Sequence, residues 1–271
     1  MTKNFIILLT FFFINCQSQT SNDETAVDKK ARQAAIVQEH VYNCADKINY
    51  TIMMKEYQDC IDAGIKKDST IAYLWQQKAM PYFKARKYEV GMQYINKAVK
   101  YDAARWQSYR AFIKCIFSKT YQDAIVDFED CKKKFGNSYV MDHSYDFYLA
   151  LCHLQLCNYL GAEKLLNNYV LEMKNRNGES WVHPTALFYY GISLYEQRKW
   201  NEAITVFDRA LALYPNFSDV KFYKGICSGR LGKTEEYKRL LKESEEDYKK
   251  GYSLNEDNTI YELYPYQKEW K

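Results

Sequence analysis

An all-α chain of helical hairpins stacked in a row is the fold class this sequence predicts, and three observations predict it. First, Leu187 to Pro215 reads LFYYGISLYEQRKWNEAITVFDRALALYP. Apolar residues recur there at helical spacing in two blocks, Leu187-Phe188-Gly191-Leu194 and Ala203-Phe207-Ala210-Leu211, split by the polar Glu196-Gln197-Arg198-Lys199. That is the pattern of two short amphipathic helices folded back on each other. Second, an anchor residue at the equivalent place of the second helix returns at Gly91, Ala124, Ala162, Ala203 and, more weakly, Tyr237, giving spacings of 33, 38, 41 and 34. Third, 10 Gly and 4 Pro in 271 residues are too few for a loop-rich β fold, and strand-type alternation is scarce.

Composition bounds the function. A hydrophobic share of 47% supports a substantial core, and a formal charge of +4 gives no ground for a nucleic-acid partner. The 26 tyrosines each need a wet or hydrogen-bonded end, which suits a thin, repeat-built molecule with much surface.

Taken in order, the chain opens with a short positive start and an apolar run from Phe5 to Ile14, too short to span a bilayer and of the length of a secretory signal. The run closes on Asn15-Cys16 before the polar Gln17-Ser18-Gln19-Thr20. A cysteine at this place resembles the lipobox of bacterial lipoproteins, which implies cleavage after residue 15 and acylation of Cys16. Phe13 and Asn15 depart from the commonest lipobox, and an ordinary signal peptide cut slightly later is the alternative. Residues 16–35 read as a flexible tether. An irregular first pair is expected from about Gln38 to Lys67, and regular pairs come after it around Gly91, Ala124 and Ala162, then Gly191 with Ala203, and Gly225 with Tyr237. Lys134–Ser138 and Lys174–Ser180 account for the two long spacings, and Pro184 sits near a helix start. The last helix is expected to run to about Tyr252. The tail 255–271 carries YELYPYQKEW, whose aromatics are expected to fold back on the last helices, with a docking peptide for a partner as the alternative.

Small residues, aromatics and a closing proline in the order of Gly191, Trp200, Ala203, Phe207, Ala210 and Pro215 resemble the tetratricopeptide repeat (TPR) family, whose period is roughly 34 residues. The resemblance implies a right-handed solenoid of about five to six helix-turn-helix repeats over 36–254. It also implies a concave face lined by the first helix of each pair. On that register the inward, partner-binding candidates are Tyr73, Trp106, Tyr109, Arg110, Phe147, Tyr148, Phe188, Tyr189 and Phe222. Family members that clamp a terminal carboxylate carry Lys, Asn and Arg at these places. Arg110 is the one cation here, so that clamp is not expected. The tail as a whole resembles the ending of flavobacterial TPR proteins.

Catalytic chemistry is not indicated. There is no phosphate loop, Gly-rich dinucleotide turn, nucleophile elbow or zinc-protease helix, and no cofactor motif. His40, His143, His153 and His183 are scattered without a paired ligand spacing, so the sequence supports no metal site. Acidic pairs such as Asp127 with Asp130 read as solvated helix faces. Of the cysteines other than Cys16, most read as buried small hydrophobes, Cys60 and Cys131 among them. The expectation is a non-enzymatic, lipid-anchored scaffold of the bacterial envelope, holding a protein partner or extended peptide in an aromatic concave groove. A glycan-binding envelope lipoprotein and a structural subunit of an envelope assembly complex are the alternatives.

Overall fold

The computed structural model describes residues 25–271. The expected signal peptide, Cys16 and the first part of the expected tether lie outside the described residues. Among the described residues twelve α-helices succeed one another: α1 Ala26–Val37, α2 Met54–Lys67, α3 Ala72–Lys84, α4 Tyr88–Tyr101, α5 Ala103–Ile116, α6 Tyr121–Phe135, α7 Tyr145–Gln155, α8 Tyr159–Asn177, α9 Pro184–Glu196, α10 Trp200–Leu213, α11 Ser218–Arg230 and α12 Thr234–Lys249. From α3 onward they form five antiparallel hairpins, each packed on the next. Odd-numbered helices also touch one another (α5 with α7, α7 with α9, α9 with α11), so they form the tighter, inner layer of the array.

The repeat register is written in the backbone. A left-handed residue closes each hairpin turn, at Arg86, Lys119, Cys157, Arg198 and Gly232. These positions are 33, 38, 41 and 34 apart, the same intervals as the anchors. Four of the five are not glycine, although a left-handed conformation costs an L-residue about 1–2 kcal/mol. The packing of two helices against each other imposes the turn. Close approach is clearest at Gly191, where a Cβ would overlap the ring of Phe207. Gly91 stands against Phe83 in the same way. Ala124, Ala162 and Ala203 are fully buried.

The departures have local causes. The expected tether is helical from Ala26, because Thr25 caps α1 by accepting from the Asp28 amide at 3.1 Å. That helix is held by Ile36 and by Arg32 and Gln33, which both donate to Asp68 at the end of α2. Cys60 is not a lone small hydrophobe: it forms a disulfide with Cys44, tying the irregular segment 38–53 to α2. Cys131 is a free buried thiol as expected. Asp127 is buried rather than solvated, and it joins Arg110 and Lys114 across α5 and α6 at 2.5 and 2.8 Å. α12 stops at Lys249, short of Tyr252, where Gly251 turns left-handed.

Both long intervals carry non-repeat structure. After α6, Gly136 at φ +76° leads into a two-residue antiparallel ladder, β1 Tyr139–Val140 with β2 His143–Ser144, which the all-helical reading did not foresee. After α8, which runs to Asn177, Gly178 at φ +94° leads through a short turn to His183 and Pro184, the latter at the first turn of α9.

Candidate functional site

The inner face is where the predicted residues lie, and the chain's own C-terminal tail runs along most of it. Starting beneath α11, the amide of Leu254 donates to Asp219 Oδ2 at 2.8 Å, and the amide of Lys268 donates to Asp219 Oδ1 at 2.6 Å. One buried carboxylate thus pins both ends of the tail. Between those points the tail crosses the array. Glu256 meets His143 Nε2 at 2.7 Å, and Tyr189 Oη donates to the Pro265 carbonyl at 3.0 Å. At its far reach, Arg86 donates to the Tyr261 carbonyl at 3.1 Å, and Glu262 pairs with Arg86, Lys119 and the Tyr88 hydroxyl. Trp270 returns to the last unit, edge-on to Phe222 and donating to Ser244 Oγ at 3.2 Å. The tail therefore does fold back, but across four earlier hairpins as well as the last one. Leu254 and Tyr264 join the main core.

This corrects the expectation of an open aromatic groove. Phe147, Tyr148, Phe188 and Tyr189 are at most 1% exposed. Phe147 stacks on His143 at 3.7 Å, Tyr148 packs between Phe112 and Phe128, and Phe188 meets Phe217 and Tyr223. A first-helix position one turn from a small residue is also where neighbouring units touch, and these rings serve that contact. Phe222 is half-buried beneath Trp270 and Lys268. Arg110 is committed to Asp127 and to Asn96, so its charge is not offered to the inner face. Trp106 is buried, stacked on Tyr73 at 6.3 Å and capped by the Arg105 guanidinium.

The amino-terminal end of the same face stays open. A cleft of about 370 Å³ is lined by Tyr50, Tyr57, Gln76, Gln77, Met80 and Tyr109, among others. Its floor is shaped by Pro81 inside α3, which has no N–H to give the Gln77 carbonyl. The Tyr57 hydroxyl reaches that carbonyl at 3.4 Å and the Gln77 side chain at 3.1 Å. Tyr109 donates to Met80 Sδ at 2.7 Å, and burial raises its hydroxyl above the ordinary range. Lys84 lies over Tyr50 on the cleft side and over Tyr261 on the tail side, so the cleft begins at the far reach of the seated tail. A second cavity, of about 480 Å³, opens beside it between α1 and Tyr42, Tyr73 and Arg105. Burial pushes the Tyr73 hydroxyl up to about 12.

The tail also assembles a cluster that sequence reasoning missed. His143, His183 and Glu256 bring one donor atom each within 4.8 Å of one another. Burial raises the Glu256 carboxyl, but the hydrogen bond and charge of His143 outweigh it and leave it lowered. Burial, and then the charge of His143, lower His183. The three come from β2, the turn before α9 and the tail, so no short motif joins them. The signal available was that both histidines stand just after the segments that break the repeat interval.

Residues 184–217 match the tetratricopeptide repeat family model. No curated protein matches the sequence. Among solved structures, the chain is similar to a tetratricopeptide repeat protein from Parabacteroides merdae at TM-score 0.63 and 13% identity, covering 83% of this chain and 81% of that one. It is similar to PilW, a type IV pilus biogenesis factor, at TM-score 0.61 and 11% identity, covering 80% and 94%. It is also similar to PilF of Pseudomonas aeruginosa at TM-score 0.56 and 14% identity, covering 83% and 93%. At these identities the likeness is one of fold. Among the described residues no helix is long and apolar enough to cross a membrane.

Proposed function

We propose that this tetratricopeptide repeat protein is a non-catalytic scaffold, lipid-anchored to the bacterial envelope through Cys16, that holds an extended peptide segment of a protein partner at the amino-terminal end of its inner face. One observation carries the reading. The inner face already holds a non-helical segment of chain, its own turn-containing tail, through side chains of the array that bond main-chain groups: Tyr189 to the Pro265 carbonyl, Arg86 to the Tyr261 carbonyl, and Asp219 to two amides. Main-chain recognition of this kind accepts a peptide whatever its side chains, and pockets beside it select among peptides. The open cleft continues that track and supplies such a pocket, with amphipathic rings at Tyr50, Tyr57 and Tyr109, amide groups at Gln76 and Gln77, and the adaptable Met80. Of the partner residues expected from the repeat register, Tyr73 and Tyr109 border the open cavities.

The disulfide between Cys44 and Cys60 supports an exported protein, since such bonds persist in oxidising compartments. Photocrosslinking from Gln77 and Met80 in the native cell, read by mass spectrometry, tests the assignment. The expected result is a discrete protein adduct from both positions and none from the opposite side of the array, for example Val126. Crosslinks confined to the chain itself would overturn it. Saturable quenching of tryptophan fluorescence by an oligosaccharide, with no protein adduct, would support a glycan-binding role instead.

A further inference from the structure

We infer that His143, His183 and Glu256 form a binding site for one divalent transition-metal ion of the zinc class, which fastens the tail to the middle of the array. The donor set is two imidazoles and one carboxylate, a combination that suits Zn²⁺ and its neighbours and does not suit Ca²⁺ or Mg²⁺. The site is built from three separate pieces of chain: β2, the turn before α9 and the tail. Two of its members are deeply enclosed, with the His143 side chain fully buried and that of Glu256 only 3% exposed.

Glu256 Oε1, buried at the centre of the cluster, lacks any hydrogen-bond partner, which is costly for a buried polar atom. Glu256 Oε1 lies 3.9 Å from His183 Nδ1, too far for a hydrogen bond, and the other oxygen lies 2.7 Å from His143 Nε2. Donor atoms around a tetrahedral zinc ion stand about 3.3 Å apart, as bond lengths near 2.0–2.2 Å require. The two observed separations straddle that value. Small rotations of the half-exposed His183 and of the Glu256 carboxylate would admit an ion in place of the His143–Glu256 hydrogen bond. His183 Nδ1 presently accepts from the Thr185 amide at 3.3 Å, a long contact that rotation gives up. His143 is held in place by stacking on Phe147 at 3.7 Å, which fixes the ring plane. With 45% of its side chain exposed, His183 leaves a route for the ion to enter and a fourth position facing solvent.

Chelator-treated full-length protein, titrated with Zn²⁺ by calorimetry and with Co²⁺ by visible absorption, tests the site. One equivalent should bind, with a Co²⁺ spectrum of low coordination number. Zn²⁺ should also slow hydrogen exchange of the tail amides between 254 and 268. Affinity should fall by on the order of tenfold or more in His183→Ala and in Glu256→Gln. His183→Ala alters a half-exposed side chain, and its melting curve in the absence of metal, expected to match that of the metal-free parent, is the control for folding. His153→Ala, which removes a half-buried histidine away from the site, should bind as the parent does. Absence of a stoichiometric equivalent, or equal affinity in the parent, His183→Ala and Glu256→Gln, would overturn the assignment.

Discussion

Replacing Asp219 by Ala should release the tail from the inner face while leaving the helical array folded. Asp219 is fully buried, and its two carboxylate oxygens accept from amides 14 residues apart in sequence, at 2.8 Å from Leu254 and 2.6 Å from Lys268. Hydrogen bonds to charged groups contribute about 1.5–3 kcal/mol each, so two of them set an upper range of about 3–6 kcal/mol. Part of that is offset, because burial raises the Asp219 carboxyl above its ordinary value, so the folded state already bears a cost for its charge. A net loss of about 2–4 kcal/mol in tail docking results, or roughly a 30- to 1000-fold rise in the population with the tail open. Because burial raises the Asp219 carboxyl, its protonation as pH falls relieves that burial cost in the folded state and does not by itself lower folding stability. Hydrogen exchange of the tail amides, measured beside that of α9 and α10, reads the effect. Accelerated exchange in 254–268 with unchanged protection in α10 is the expected result. Tail amides that exchange as in the parent would show that Asp219 does not hold the tail. Simultaneous loss throughout the array would show that the tail is part of one cooperative core and not a separately docked segment.

Gly191→Ala drives a methyl group into the Phe207 ring and should cost about 1–3 kcal/mol in denaturant unfolding, with loss of protection centred on α9 and α10. Reducing or removing the Cys44–Cys60 disulfide, which closes a loop 16 residues long, should loosen α1 and α2 by about 3 kcal/mol without touching α7 to α12, as read by exchange in each segment. Burial raises the Asp68 carboxyl, but hydrogen bonds from Thr70, Gln33 and Arg32 outweigh it and hold it well below its ordinary 3.8. Its contribution is therefore complete above that value and lost as pH falls through the lower, folded one, so α1 should fray in strong acid before the hairpins melt, by helicity and exchange measured together. Cys16→Ser should leave the protein unprocessed or released from membranes; unchanged fractionation and mature mass would remove the lipid anchor from the proposal.

The local sequence determined the helices, the turns between them and their register. Each depends on contacts within one hairpin: a small residue stands against a ring, as Gly191 against Phe207 and Gly91 against Phe83, and the anchors of the second helices recur at the intervals also seen in the left-handed turn residues. It also marked the two irregular intervals, because a glycine that ends a helix is visible whatever structure comes after it. Only the tertiary structure decided what covers the inner face. The rings at Phe147, Tyr148, Phe188 and Tyr189 look the same in sequence whether they line an open groove or a closed one. The occupant lies about 70 to 120 residues downstream, in a tail whose pattern has no period to match against theirs. The pairing of Arg110 with Asp127 and the meeting of His143, His183 and Glu256 were out of reach for related reasons. In both, the outcome depends on how neighbouring segments stack, which fixes side-chain distances that spacing along one helix does not encode.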